Sequence, residues 1–176
     1  MTPKHTFTFR LAFAALFAAL VCALTFIHLP VPMSEGYVHL GDAFVFLAGC
    51  MLPTPYAMAA AALGGGLADV LSGFAAYAPA TLIIKALIAL CFSAGAPKLL
   101  SGRNALAFIP AAILTVGGYF LADGILAGNL AAGVPNLVGN SIQTVGSILL
   151  FVGMAAILDK AGVKNRLFHR RQPEDI

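Results

Sequence analysis

Three carboxylates, one ammonium and a row of carboxamides stand inside otherwise apolar runs of this sequence: Asp42, Asp69 and Asp123, then Lys85, then Asn136, Asn140 and Gln143. A charged side chain at the centre of a membrane helix costs about 3 kcal/mol on insertion scales, so it is kept where it faces protein, water or a ligand. Carboxylates accept hydrogen bonds, an ammonium donates them and carboxamides do both, a set suited to holding a polar small molecule. Catalytic arrangements are missing. No GxSxG elbow or Ser/His/Asp set is present, and His5, His28, His39 and His169 form neither HxxxH nor HExxH, so no catalytic or metal-ligating residue is expected. Gly64–Gly66 lies in an apolar run with no strand before it and no Walker lysine after it, which reads as helix packing. Cys22, Cys50 and Cys91 are isolated and read as packed thiols.

The elements that must position these groups follow from composition. The 176 residues are 60% hydrophobic and 10% charged, with a mean hydropathy of +0.94. Soluble domains carry roughly 25% charged residues, so the chain reads as an all-α integral membrane protein of one domain, residues 1–176. A barrel would need alternating strands of about ten residues, and these runs are long and rich in Ala, Leu and Gly. The net charge of +3 comes from basic residues at the ends of apolar segments, which excludes a nucleic-acid partner. The opening MTPKHTFTFR imitates a signal peptide, but the apolar run from Leu11 to Leu29 exceeds an h-region of about 7–15 residues, so a retained first span is expected.

Six apolar segments are expected: about Phe9–Leu29, Leu40–Leu52, Tyr56–Leu71, Tyr77–Ala96, Ala105–Leu121 and Asn136–Asp159. Between the fifth and sixth, the stretch from Ala122 to Pro135 reads as an irregular glycine-rich connection. Lys4 and Arg10, Lys98 and Arg103, and the basic tail from about Lys160 onward all fall on one side of a six-span arrangement. By the positive-inside rule that side is the cytoplasm, with both termini in. Lys85 then lies about 9 Å inside its helix start, and Asn140 and Gln143 roughly 6–10 Å inside theirs. Asp42, Asp69 and Asp123 fall near the same outer depth. Asn136, Asn140, Gln143 and Ser147 share one helical face through their 4-3-4 spacing. Interhelical hydrogen bonding or an Asp69–Lys85 ion pair are structural roles open to these groups. Because five segments supply polar groups to one layer, an outward-facing ligand site is the more economical reading. Alanines at four-residue spacing, Ala14/Ala18 and Ala15/Ala19/Ala23, give the first segment small faces on which another helix can pack, inside the bundle or outside it.

Six spans in this length, the alanine face, His39-Leu-Gly-Asp42, the run Gly65 to Lys85, and Asn140/Gln143 with Gly146 resemble an S component of energy-coupling factor (ECF) vitamin transporters. The resemblance covers nearly the whole chain. It implies capture of a vitamin or vitamin precursor from outside, in a site drawn from Tyr37, His39, Asp42, Asp69, Tyr77, Lys85, Tyr119, Asp123, Asn136, Asn140 and Gln143. The loop from Val31 to His39 would close it. Ala14, Ala15, Ala18 and Ala19 would dock on a transmembrane T subunit coupled to two cytoplasmic ATPases, which use the ATP; this chain itself would bind no cofactor and sit in the cell membrane. LGDAF and YAPATLIIK are similar to the riboflavin-type group, which also takes pyridoxine and hydroxymethylpyrimidine. With no tryptophan, stacking would fall to Tyr37, Phe44, Tyr77 or Tyr119. Lys85 and the carboxylates favour a pyridoxine- or pyrimidine-sized ring slightly over riboflavin. An ion-coupled solo transporter, with Asp69 or Asp123 as its proton site, is the alternative. A membrane enzyme acting on lipid or isoprenoid is a third reading, against which the missing catalytic sets argue.

Overall fold

The computed structural model describes residues 3–30 and 37–169. All six expected segments are helices: α1 (Pro3–Thr25), α2 (Gly41–Met51), α3 (Thr54–Leu71), α4 (Ala78–Cys91), α6 (Phe108–Ala127) and α7 (Asn136–Lys160). Strands β1 (His28–Pro30) and β2 (Tyr37–His39) pair antiparallel, with His28 opposite His39. A short helix α5 (Gly102–Leu106), a 3-10 turn (Leu130–Gly133) and a π-type turn (Asn165–His169) complete the described chain.

Three helices differ in their bounds from the sequence expectation, the first of them also starting earlier, at Pro3 rather than Phe9. The first helix stops at Thr25 rather than Leu29, because His28–Pro30 turn back into the hairpin. The fourth stops at Cys91 rather than Ala96. The fifth starts at Phe108 and runs on to Ala127, into the expected irregular connection, because Gly124 stays helical and packs against Leu130, and the left-handed residue that caps the helix comes only at Gly128, φ 67°. By length and apolar composition, α1, the α5–α6 stretch and α7 are long enough to cross a membrane. The 11 residues of α2 reach about 16 Å, half of a hydrocarbon core of roughly 30 Å.

That short helix is the centre of the molecule. Every residue of α2 except Phe44 is buried, and α1, α3, α4 and α7 surround it. Close approach around it needs missing side chains: a Cβ at Gly64 would sit 2.6 Å from the Ala18 carbonyl oxygen, where α1 crosses α3. Below the polar end, Phe46, Phe92, Phe108 and Phe151 form an aromatic core with centroid separations of 5.1–6.3 Å, in tilted and edge-to-face contacts. At the far end the α4–α5 connection is pinned to α7. The Asp159 carboxylate accepts from the Leu99 and Leu100 amides at 2.8 and 2.9 Å, and Lys164 Nζ donates to the Ala96 carbonyl at 2.5 Å. The buried Asn104 carboxamide bonds Ser93 and Leu99 backbone groups within the same connection.

Candidate functional site

The ends of α1, α3 and α6 and the starts of α2, α4 and α7 meet at one end of the bundle around a half-open cavity of about 390 Å³. Asp42 sits in the first turn of α2, where the unpaired amides of a helix N-terminus favour negative charge. Across from it, Lys85 projects from the middle of α4 and donates from Nζ to Asp42 Oδ1 in a buried ion pair. The lysine stem passes over α3 at a glycine: a Cβ at Gly65 would lie 2.9 Å from Lys85 Cγ and 3.0 Å from Thr81 Cγ2. The Lys85 ammonium also stands 5.4 Å from the centre of the Tyr119 ring, within cation–π range, and Tyr119 and Thr81 share a 3.2 Å hydroxyl contact.

Gln143 ties this pair to the hairpin. Its Nε2 donates to the His39 carbonyl, Asp42 Oδ2 and Ser147 Oγ at 3.1, 3.3 and 3.0 Å, and its Oε1 accepts from the His39 amide at 2.8 Å. A second knot joins α4, α6 and α7 at the rim: Tyr77 OH donates to Asp123 Oδ1 at 2.8 Å and Asn136 Nδ2 to Asp123 Oδ2 at 3.0 Å. Buried polar groups are satisfied as a rule. Asp69 departs from it: its Oδ2 is shielded from solvent and has no hydrogen-bond partner among the described residues.

Of the residues singled out from sequence, His39, Asp42, Asp69, Tyr77, Lys85, Tyr119, Asp123, Asn136, Asn140 and Gln143 all line this cavity. Tyr37 enters through its backbone in β2; its side chain, like residues 31–36 of the expected closing loop, lies outside the described residues. Phe44, expected as a stacking surface, packs against the apolar core instead. Phe74 takes a place in the cavity wall, 6.4 Å from the Tyr77 ring and edge-on to it. Its place three residues before Tyr77, directly after the Ser72-Gly73 break, was the available signal. Thr25, Ser72, Thr115 and Gly139 also line the cavity, and nothing in their local sequence distinguishes them from packing residues. On α1, Ala14 is buried and Ala18 half-buried against α3, while Ala15 and Ala19 are exposed. Among the described residues no group of three His, Cys, Asp or Glu converges as a metal site.

This assembly of convergent polar groups from six helices, in a membrane-type bundle, can hold a polar ligand of modest size. Comparison with known proteins agrees with that reading. Residues 6–160 match the family model of the ECF-type riboflavin transporter S component. An uncharacterised protein of Pyrococcus woesei, described by its place in the gap 3′ region, is 31% identical over 137 residues, 76% of this chain and 90% of that protein. The solved S component of a bacterial ECF transporter superposes with a TM-score of 0.64 over 92% of this chain and 98% of that one, at 18% identity, a likeness of fold. The family is a transporter component rather than an enzyme class. The chain belongs to the ECF-type riboflavin transporter S component family.

Proposed function

We propose that this chain, acting as one domain over residues 1–176, is the membrane-embedded binding subunit of an ATP-driven importer. It captures a water-soluble vitamin or vitamin precursor at the cavity built on Asp42, Lys85 and Gln143. The observation that carries the reading is the convergence of six helices' polar side chains on one half-open cavity, above an aromatic core that seals the way through. The bundle of α1–α4, α6 and α7 crosses the cell membrane, with α2 reaching only part of the way, and has both termini in the cytoplasm, a sidedness supported by the placement of Lys98, Arg103, Lys160 and Lys164 at the end opposite the cavity. On that arrangement the cavity opens outward.

A hydroxylated heteroaromatic ring suits the walls, with Tyr77, Tyr119 and Phe74 for stacking. The volume, near the lower limit of roughly 300–1,000 Å³ for small-molecule sites, supports pyridoxine or hydroxymethylpyrimidine; the family description supports riboflavin. The exposed face of α1, with Ala15 and Ala19, docks on a transmembrane T subunit that is served by two cytoplasmic ATPases. The test is native mass spectrometry of the protein purified from rich medium, followed by titration with riboflavin, pyridoxine and hydroxymethylpyrimidine. A co-purified vitamin with submicromolar affinity supports the reading. Uptake in vesicles without any ATPase, collapsed by an uncoupler, would replace it with an ion-coupled solo transporter.

A further inference from the structure

Around the α4–α5 connection, at the end of the bundle opposite the cavity, cations outnumber acids. Lys98, Arg103, Lys160, Lys164 and Arg166 stand there with one carboxylate among the described residues, Asp159. Both Asp159 oxygens are engaged by backbone, the Leu99 and Leu100 amides. Arg103 and Lys164 are engaged as well, donating to the Cys91 and Ala96 carbonyls. Lys98, Lys160 and Arg166 are left exposed. The clasp also gathers them. Lys98 directly precedes the clasped amides, and Lys160 directly follows the clasping carboxylate. Beyond Lys160 the chain turns at Gly162, φ 64°, and the Lys164 bond to Ala96 ties the segment that carries Arg166 to the same connection. Exposed cations held together in this way repel one another unless an anion lies among them.

The level of this cluster is that of lipid headgroups. The 20 residues of α6 alone cover about 30 Å, the thickness of a hydrocarbon core, so α5 and the connection before it lie at its edge. Apolar side chains are nevertheless exposed beside the cations: Leu100, Leu106 at 68%, and Ile157 at 71%, one turn before Lys160 on the same face of α7. A surface of this kind meets acyl chains and headgroups together. We infer that the Asp159 clasp builds a seat for an anionic phospholipid of the inner leaflet. Lys98, Lys160 and Arg166 take its phosphate diester, with Leu100 and Ile157 beside its acyl chains. The exposed leucine and isoleucine favour a lipid over an acidic protein surface, which would meet the cations without needing apolar neighbours at the hydrocarbon edge. The inference rests on the sidedness given above and is independent of which vitamin the cavity takes. Each basic residue beside an anionic leaflet adds about fivefold to affinity, an effect that salt screens.

The experiment places the full chain in nanodiscs of equal parts phosphatidylglycerol and phosphatidylcholine with matched acyl chains. Native mass spectrometry then counts the lipids that stay bound on release. The wild type is expected to retain phosphatidylglycerol about tenfold over phosphatidylcholine at low salt and less at high salt. Lys98→Gln/Lys160→Gln/Arg166→Gln, all at exposed positions, is expected to bring that ratio close to one. Asp159→Ala separates a built seat from bulk charge. It makes the end more positive by one, yet it frees the connection that gathers the cations, so the ratio is expected to fall. Equal retention of the two lipids by the wild type overturns the inference, as does an unchanged ratio in the folded triple variant. A ratio that holds or rises in Asp159→Ala overturns the part given to the clasp. Loss of uptake in the triple variant with the lipid ratio unchanged would assign the surface to a protein partner instead. Labelling of Lys98→Cys above the wild-type background by an impermeant maleimide, applied outside intact cells, would overturn the sidedness, a result distinct from the others.

Discussion

Lys85 pairs with Asp42 on α2, not with Asp69, the carboxylate nearest to it in sequence. The consequence is architectural. The ion pair bridges α4 to the central helix, and Gln143 extends it to α7 and β2. Removing one member of a buried pair typically costs about 3–5 kcal/mol, because the other is left uncompensated, whereas replacing both with apolar groups can be neutral. Lys85→Met is therefore expected to lower the melting temperature in detergent substantially. Lys85→Met/Asp42→Leu is expected to recover most of that loss while still failing to bind ligand. A double variant no more stable than Lys85→Met would mean that the pairing does not hold these helices.

Gly65 gives a cleaner test of the same geometry, because it changes no charge. A methyl group there would meet Lys85 Cγ and Thr81 Cγ2 at about 3 Å, and overpacking of that kind costs about 1–3 kcal/mol. Gly65→Ala is expected to displace the lysine and weaken ligand binding. Gly117→Ala in α6, with nothing within 4 Å of its added carbon, is expected to be neutral or stabilising by up to about 1 kcal/mol through helix propensity. Thermal unfolding and ligand titration of the two variants side by side would check both.

The six helices were legible in the sequence because hydropathy and prolines mark them: Pro53 precedes α3, and Pro79 opens α4. The layer of polar residues was legible too, from depth alone. Partner choice was not. Asp42 and Lys85 lie far apart in the chain, and whether Asp42 or Asp69 takes the lysine depends on how α2 inserts among α1, α3, α4 and α7. The hairpin was equally hidden, since Phe26 to Leu29 is apolar enough to extend a helix, and only its pairing with Tyr37–His39 turns it into a strand. Phe44 and Phe74 exchange roles for the same reason: type and depth match, but the direction of the side chain comes from packing.

The far end of the bundle is held by Asp159, whose two oxygens take the successive amides of Leu99 and Leu100. Asp159→Ala is expected to free the connection between α4 and α5, raising hydrogen exchange of the amides from Ser93 to Ser101 with little change in ligand affinity. Protection in that stretch equal to wild type would show the clasp to be dispensable.

The alanine face of α1 divides into two parts with opposite predicted behaviour. Ala14 is 7% exposed, and Ala18 stands where the α1 backbone meets Gly64 of α3, so larger side chains there act on the fold itself. Ala14→Leu is expected to destabilise the isolated protein by about 1–3 kcal/mol. Ala15 and Ala19 point away from the bundle, where small residues let a second helix approach closely. Ala15→Leu and Ala19→Leu are therefore expected to leave melting temperature and ligand affinity at wild-type values. Uptake by cells that carry the T subunit and ATPases should fall several-fold. Normal uptake by both would remove α1 as the docking face, and loss of ligand binding would place these alanines inside the fold after all.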